Sequence, residues 1–172
     1  MDICNIKFHC IISDKVQFSE SFRGKGYKTY PSFEVFKIGN YSFMCYYNGF
    51  LNVTGVKAFD EIDISLNKLK EYLNNFHLNF KEIIVDNITT KCTCLNMKHI
   101  CLQTKKEKLK KSTLSNQITS IKYEREIFPS MFIKTNLGTI IWSTNNKVSC
   151  VGLKSLKNIR DICSLVQSIE KI

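Results

Sequence analysis

Proline is nearly absent from this chain, and long apolar runs are missing altogether. The 172 residues include 2 prolines and 7 glycines, with 44% hydrophobic and 23% charged residues. This composition is that of an ordinary globular protein and excludes a low-complexity or disordered chain. No apolar run reaches the roughly 18 residues of a membrane-spanning helix. The opening MDICNIKFHCII has no basic n-region and no small-residue cleavage site, which predicts an intracellular protein without a secretory signal.

Acidic residues are also few. The chain has 15 Asp and Glu against 25 Lys and Arg, which gives a formal net charge of +10. Such a charge on a folded protein predicts an acidic partner, most simply nucleic acid. A surface charge that only keeps the protein soluble is the alternative.

The 8 cysteines are many for an intracellular chain, where thiols stay reduced. Most of them stand among Ile, Val and Phe, so we expect them to be small buried side chains. Cys92 and Cys94, together with His99 and Cys101, would supply enough ligands for a zinc site. Because Cys92 and Cys94 follow the two-residue period of a strand, the pattern favours core positions, with no metal and no other cofactor.

Catalytic patterns are not found either. The chain offers no nucleophile with its base, and the sequence RGKG at 23–26 is too short for a phosphate-binding loop. Asp60 and Glu61 stand in the first turn of a predicted helix, where they stabilise its dipole. The chain is therefore predicted not to be an enzyme.

An internal repeat organises the chain. Both prolines lie in aromatic-Pro-Ser sequences, at 30–32 and 128–130, and strand-like runs separated by an Asn-containing turn follow each of them. Each copy then reaches Gly-x-Lys and a stretch with helical periodicity, for which Ser155 is a candidate N-cap in the second copy. The sequence thus predicts two copies, 1–79 and 80–172, of strand, short helix, three strands and long helix.

Side-chain alternation along the predicted strands separates two sheet faces. In NIKFHCII, Phe8 and Cys10 oppose Lys7 and His9, and Trp142 stands on the apolar side of its strand. The apolar face is expected to lie under the two long helices. The other face mixes polar and apolar side chains, as a face that contacts a partner does, and a plain solvated face is the alternative.

The doubled pattern resembles the TATA-box-binding protein (TBP) family. The strings YPSFEVFK…MCYYNGFLNVTGVK and FPSMFIKT…IIWSTNNKVSCVGLK are similar to the family half-repeats. YEREIFP at 123–129 and FKEIIVDNITTKC at 80–92 resemble two further family segments. The resemblance covers almost the whole chain and implies an α+β fold, a saddle of two pseudo-symmetric repeats with a curved antiparallel sheet and helices on its convex face. It also implies binding and bending of A·T-rich promoter DNA through the minor groove.

The resemblance places the aromatic wedges that enter base steps on Tyr30 and Tyr46 in the first repeat and on Phe128 in the second. The fourth wedge position falls on Ser143, whose side chain is too small to enter a base step. The wedge of the second repeat is therefore expected to be weakened or differently built.

Further family positions imply contacts with the floor of the minor groove. The two asparagines that hydrogen-bond to base edges match Asn5 and Asn87, and asparagine can donate to the acceptors of an A·T pair. The other floor positions are Lys7, Met44, Asn52, Thr54, Thr89, Ile141, Ser149 and Val151. Taken together, this floor is more polar than the family pattern, which implies a looser or different sequence preference.

Phosphate contacts are implied for Lys134 and Lys147, which match basic residues of the family. Their counterparts in the first repeat are Phe36 and Phe50, a departure for which Lys7 and Lys37 are candidates to compensate. Such contacts set affinity and its salt dependence rather than sequence choice.

Two surfaces are candidates for other partners. The family surface that receives a factor IIB-like initiation factor matches Glu124, Glu126 and Ile127, for which a solvated loop end is the alternative. The Lys-rich stretch 104–116, an insertion in the second repeat, is interpreted as a solvated helix end or loop, or as a supplement to an electrostatic site.

The resemblance therefore implies a transcription initiation factor whose partners are double-stranded DNA, a factor IIB-like protein and RNA polymerase, with no membrane. The alternatives are a TBP-fold protein-interaction module without sequence-specific DNA binding, and loose nucleic-acid binding through the Lys-rich stretch. The Asn, Lys and Ile bias is typical of an A·T-rich genome, as in a large DNA virus or a divergent eukaryote. The expected location is the nucleus, or a cytoplasmic site of viral transcription.

Overall fold

The structure is a computed structural model that describes residues 1–12, 28–30, 32–93, 101–145 and 147–172. The chain forms two compact units. The first unit consists of residues 5–87, and the second of residues 1–4 together with residues 88–172.

The helices and strands lie in order along the two predicted copies, 1–79 and 80–172. Those of the first copy are β1 (Asp2–Ile12), β2 (Lys28–Thr29), β3 (Phe33–Ile38), β4 (Tyr41–Tyr46), β5 (Phe50–Val56) and α1 (Glu61–Tyr72). Those of the second are β6 (Phe80–Thr93), α2 (Leu102–Lys111), a 3-10 helix (Thr113–Gln117), β7 (Ile118–Lys122), β8 (Ser130–Thr135), β9 (Thr139–Ser143), β10 (Lys147–Leu153) and α3 (Leu156–Glu170). Each copy has one edge strand more than predicted, β2 or β7, and the predicted short helix of the first copy falls outside the described residues.

Each unit contains an antiparallel sheet with one apolar face. The strand order is β2-β3-β4-β5-β1 in the first unit and β6-β10-β9-β8-β7 in the second. The predicted alternation is confirmed, because Phe8, Phe43 and Val53 are fully buried on one face of the first sheet. Trp142 and Val148 are fully buried in the second, as the strand pattern predicted for Trp142.

The long helices cover these apolar faces. Helix α1 contacts β3 and β5, and helix α3 contacts β10. The predicted N-cap is confirmed, since the Ser155 hydroxyl accepts a hydrogen bond from the backbone N–H of Asn158 at 3.1 Å. At the start of α1, a Glu61 carboxylate oxygen accepts one from the backbone N–H of Lys57 at 3.0 Å. No described helix is long and apolar enough to cross a membrane.

The predicted Asn turns connect the fourth and fifth strands of each copy, β4 with β5 and β9 with β10. Asn48 Oδ1 accepts a hydrogen bond from the N–H of Phe50 at 3.1 Å, and Gly49 adopts a φ of +88° that favours glycine. The connection between β4 and β5 is three residues long, one more than a two-residue hairpin. Asn145 repeats the contact with the N–H of Lys147 at 3.3 Å, while Asn146 lies outside the described residues.

The Lys-rich stretch forms helix α2, and its innermost lysine is not solvated. Lys105 is 1% exposed, and its ammonium nitrogen lies 5.0 Å from the ring centroid of Trp142 and 3.5 Å from the carbonyl oxygen of Glu170. The interpretation of the stretch as solvated is wrong for this residue, since an ammonium over an aromatic face is stabilised by the ring electrons. Of the other four lysines of α2, Lys106 is half-buried, and Lys108, Lys110 and Lys111 are exposed.

Three of the seven cysteines among the described residues lie in the core, so the expectation that most of them are buried is not confirmed, and Cys92 is half-buried. Cys10, Cys45 and Cys150 are fully buried, and burial raises the pKa of the Cys10 thiol to about 12. Cys101 is exposed at the start of α2, where the backbone N–H groups of Thr104 and Gln103 lower the pKa of its thiol. The described residues contain no group of side chains suited to a metal ion. Two members of the considered zinc set, Cys94 and His99, lie outside those residues.

Candidate nucleic-acid interface

Each sheet has a second face, opposite the apolar face that the long helix of its unit covers. Its residues alternate with the core residues and are half-buried or exposed. We call it the open face. In the first unit the open face carries Asn5, Lys7, His9, Phe33, Val35, Lys37, Ser42, Met44, Tyr46, Phe50, Asn52 and Thr54. In the second unit it carries Thr89, Lys91, Lys122, Phe132, Lys134, Thr139, Ile141, Ser143, Lys147, Ser149 and Val151.

Strand register places the predicted floor residues of each unit side by side. In the first unit Asn52 pairs with Met44 on one side and with His9 on the other. In the second unit Ser149 pairs with Ile141 and with Lys91. The equivalence of Asn52 with Ser149, inferred from the sequence repeat, therefore holds in the sheet pairing.

The same correspondence extends along both sheets. Thr54 pairs with Ser42 in the first unit, and Val151 pairs with Thr139 in the second. All four side chains are half-buried. The floor positions named from the sequence thus lie on the open face of their own unit.

Asn5 is held in one orientation by an irregular position near the end of β5, where the register with β1 shifts. Its Oδ1 accepts a hydrogen bond from the backbone N–H of Gly55 at 2.7 Å. Gly55 has a φ of +93°, and a Cβ added there would stand 2.1 Å from the carbonyl oxygen of Asn40, so only glycine fits. Because Oδ1 is the acceptor in this bond, the two N–H donors of the Asn5 amide are directed to other partners.

A register difference corrects the sequence assignment of phosphate-binding positions. Counting from the two prolines equates Phe36 with Lys134, but Phe36 is 2% exposed and stacks on Phe43 and Tyr72 in the core. In the sheets, Lys37 pairs with Ser42 as Lys134 pairs with Thr139.

Lys37 is therefore the counterpart of Lys134, and both are exposed. The chain has one residue more between Tyr30 and this strand position than in the second copy. A one-residue shift moves a side chain to the opposite sheet face, which is why Phe36 is in the core. The first repeat therefore has a basic residue at this position, and the sequence assignment of Phe36 as the counterpart of Lys134 was wrong.

A carboxylate reaches the basic side chains of β1. Asp86 Oδ1 lies 2.7 Å from His9 Nδ1, and its Oδ2 lies 3.9 Å from the Lys7 ammonium nitrogen. The Asp86 and His9 side chains are 28% and 22% exposed. Lys7 was predicted to contact DNA, and here it is paired in part with a negative charge.

Five rings form a continuous row across the first open face, which we call the aromatic row. Its consecutive members are Tyr30, Phe33, Tyr46, Phe50 and His9, with centroid separations of 4.5, 5.1, 5.8 and 4.9 Å. Tyr30, at one end, is 41% exposed. Both wedge candidates of the first repeat belong to this row. Sequence reasoning missed Phe33, Phe50 and His9, because their contacts depend on how four strands are paired.

The second open face has no such row among the described residues. Ser143, the counterpart of Tyr46, shares a hydrogen bond of 2.9 Å with Ser130. Phe128 is 48% exposed and contacts only one other ring in the described residues, that of Phe132, at 5.3 Å. The predicted wedge residue of the second unit, Phe128, thus packs against one ring of the described residues, and no ring stands at position 143.

Basic side chains outnumber acidic ones on these faces. Lys134 and Lys147, the predicted phosphate contacts, are exposed in the second unit, as is Lys37 in the first. At high dielectric each exposed charge acts mainly through the summed field of the protein, whose formal net charge is +10. The open faces are therefore suited to a polyanion.

The loop between β7 and β8 carries the predicted partner surface. Glu124 and Glu126 are exposed, and Ile127 is 77% exposed. The Glu124 carbonyl oxygen accepts hydrogen bonds from the N–H groups of Ile127 and Phe128 at 3.0 and 2.9 Å, which fixes the loop. Beside it opens a mostly apolar pocket of about 180 Å³, lined by Lys122, Glu124, Ile127, Phe128, Ser130 and Phe132.

Comparison with solved structures decides the fold. The chain superposes on TBP of Methanococcus jannaschii with a TM-score of 0.76, over 99% of this chain and 97% of that chain, at 18% sequence identity. The chain has the TBP fold. No family model and no curated protein sequence matches it. The fold implied by the doubled sequence pattern is confirmed, although fewer than one residue in five is identical between the superposed chains.

Proposed function

We propose that this protein is a TBP-like transcription initiation factor that binds and bends A·T-rich promoter DNA through the minor groove. The observation that carries the proposal is the orientation of Asn5 on an open sheet face of a TBP fold. Its amide presents N–H donors, and the floor of an A·T minor groove offers only acceptors, whereas a G·C pair adds a donor. The remaining residues proposed for the interface are the open-face positions named above, with Asn87, Tyr30 and Phe128.

Charge and shape of the side chains support the same function. Exposed lysines on the open faces are placed to neutralise phosphates, and apolar side chains such as Met44, Ile141 and Val151 suit the sugar edges of a narrow groove. Proteins that bind this groove offset base unstacking by the wider contact that bent DNA allows. The proposed role is non-enzymatic, requires no cofactor, and belongs in the nucleus or at a cytoplasmic site of viral transcription.

Fluorescence anisotropy with two labelled duplexes tests this function. We expect an A·T-rich TATA duplex to bind at least about tenfold more tightly than a G·C-rich duplex at physiological salt, since each mismatched pair costs about 1–3 kcal/mol. Binding to both duplexes should weaken as salt rises. Equal affinity for both, lost at physiological salt, would show a merely basic surface and would refute the proposal.

Asp86 is expected to weaken DNA binding. In the variant Asp86→Asn, a negative charge next to Lys7 disappears while a side chain of the same size remains. We expect DNA to bind about threefold or more tightly, and the slope of log K against log salt to steepen by about 0.9 if Lys7 then neutralises one phosphate. Anisotropy titrations over a salt series measure both quantities.

The control for this charge change is Asp63→Asn on the exposed side of α1, which should leave the salt slope unchanged. A lower affinity of Asp86→Asn than of the unchanged protein would contradict the prediction. It would mean that the Asp86 carboxylate orients His9 for a contact with DNA.

Protein partners form the second part of the proposed function. We propose that Glu124, Glu126 and Ile127 receive a factor IIB-like initiation factor, which in turn recruits RNA polymerase. The support is that the loop is held by two backbone hydrogen bonds while its side chains remain exposed.

A protein-interaction module without sequence-specific DNA binding is the second candidate function. The apolar pocket beside Ile127 favours it, since a concave apolar site next to a highly exposed isoleucine is typical of a protein-docking surface. This candidate predicts no A·T preference in the anisotropy experiment.

A further inference from the structure

Each ring of the aromatic row packs against the next ring of the row. Tyr30 stacks on Phe33 at 4.5 Å with an angle of 19° between the ring planes, and Phe33 packs on Tyr46 at 5.1 Å. Tyr46 then meets the edge of Phe50, which stacks on His9 at 4.9 Å. The row ends at the 2.7 Å contact between His9 and Asp86. Only the terminal ring, Tyr30, is markedly exposed.

The equivalent positions of the second unit carry small or cationic side chains. Sheet register equates Phe33 and Tyr46 with the hydrogen-bonded pair Ser130 and Ser143. It equates Phe50 with Lys147, since both begin the strand whose next open-face residue is Asn52 or Ser149. It equates His9 with Lys91. The same line across the sheet is aromatic in one unit and polar in the other.

This difference decides which unit can act as a wedge. A ring that unstacks bases must resist the restoring stacking energy, which is a few kcal/mol per step. A ring packed against a continuous row loses little rotamer freedom when it enters a base step, because its orientation is already fixed. Among the described residues Phe128 has a single neighbouring ring, that of Phe132, and the positions equivalent to Phe33 and Tyr46 are Ser130 and Ser143, which offer no aromatic support.

We propose that the base-step wedge belongs to the first unit alone, and that the second unit holds the duplex by backbone contacts. This inference rests on the proposed DNA-binding function and adds to it the class of DNA that is recognised. The preferred site is an A·T-rich duplex with one easily unstacked pyrimidine–purine step at one end. Stiff A-tract sequence is tolerated at the other end, so the protein binds such a site in a single orientation.

A series of three A·T-rich duplexes tests the inference by anisotropy. They carry a flexible TA step at both ends, at one end, or at neither, with A-tract steps elsewhere. The one-step duplex should bind within about twofold of the two-step duplex, because the latter merely offers two equivalent orientations. The duplex without flexible steps should bind about tenfold more weakly or worse, as an added unstacking cost of about 1.4 kcal/mol predicts.

The outcomes separate this inference from the proposed function. If the second flexible step improves affinity as much as the first, both units insert a wedge and the inference is overturned, while A·T binding stands. If none of the three duplexes binds better than a G·C-rich duplex, the proposed function itself fails.

Variants assign the wedge to residues. Tyr46→Ser copies Ser143 into the first unit, and Tyr30→Ala removes the exposed end of the row with little effect on folding. Each should remove at least about three quarters of the preference for the one-step duplex over the duplex with none. Phe128→Ala should retain that preference, as should the control Phe76→Ala, whose ring is 65% exposed beyond α1. Loss of the preference in Phe128→Ala, with Tyr30→Ala unaffected, would overturn the assignment.

Discussion

Replacement of Trp142 by alanine is expected to lower the free energy of unfolding by about 3–5 kcal/mol, the usual cost of removing a large aromatic side chain from a core. Trp142 is fully buried on β9, between Val148 and Met131 of the neighbouring strands. Its removal also deprives the buried Lys105 ammonium of the ring over which it lies. A loss of this size is a large fraction of the about 5–15 kcal/mol that stabilise most domains.

Urea unfolding followed by circular dichroism measures this change, and Trp142→Phe is its matched control. Phenylalanine keeps an aromatic face for Lys105 and removes the indole N–H, which has no hydrogen-bond partner among the described residues. We expect the phenylalanine variant to lose about half as much or less, because phenylalanine leaves a smaller cavity than alanine does. Equal losses in the two variants would contradict a role for the ring face in holding Lys105.

The position of Trp142 was predictable because it depends on a local rule. Alternation along one strand assigns each side chain to a face once a single neighbour is known to be buried. The same rule placed Phe8 and Cys10 in the core and Asn52 and Thr54 on the open face. The N-cap Ser155 is equally local, since its hydroxyl bonds to a backbone N–H three residues on.

Contacts between strands were harder to predict than faces. The equivalence of Phe36 with Lys134 failed because the first copy has one extra residue between its aromatic-Pro sequence and this strand position. Counting from the proline therefore gives the wrong register. The aromatic row was missed for a related reason. Its members come from different strands, and only the pairing of β3, β4, β5 and β1 brings them into one row.

Lys105 shows a limit of charge patterns. Five lysines within eight residues indicate a solvated helix, and that is correct for those on its outer side. One turn of the helix nevertheless faces the core, and the helical period puts Lys105 on the same side as Leu102 and Leu109, which are buried. The sequence offered this signal in the spacing of the two leucines, but the aromatic partner Trp142 is contributed by a distant strand.

The orientation of Asn5 connects the fold to the proposed reading of DNA. The register shift at Gly55 in β5 requires glycine, because glycine alone tolerates its φ of +93° and the nearby Asn40 carbonyl. The N–H of that glycine donates to Oδ1 of Asn5. The two N–H donors of the Asn5 amide are therefore on the side of the amide that faces away from Gly55. A backbone feature outside the open face thereby determines which chemical group the open face presents.

Asn5→Asp is therefore expected to lower affinity for the A·T-rich duplex by about a hundredfold, equivalent to about 2.7 kcal/mol. The aspartate can still accept the Gly55 hydrogen bond, so the free energy of unfolding should change by less than about 1 kcal/mol. On the DNA side it replaces two N–H donors by a carboxylate oxygen, which opposes the base acceptors and the phosphates. Anisotropy and urea unfolding measure the two effects separately.

Asn67→Asp adds the same charge on the exposed side of α1, and it should weaken DNA binding by no more than about threefold, as a screened charge does. If Asn5→Asp weakens binding no more than Asn67→Asp, the loss is a general charge effect and Asn5 does not donate to base edges. If Asn5→Asp unfolds the protein, the Gly55 hydrogen bond requires a neutral amide, and Asn5→Ser then tests the contact. The two asparagines thus separate a specific hydrogen bond to the groove floor from simple repulsion of a polyanion.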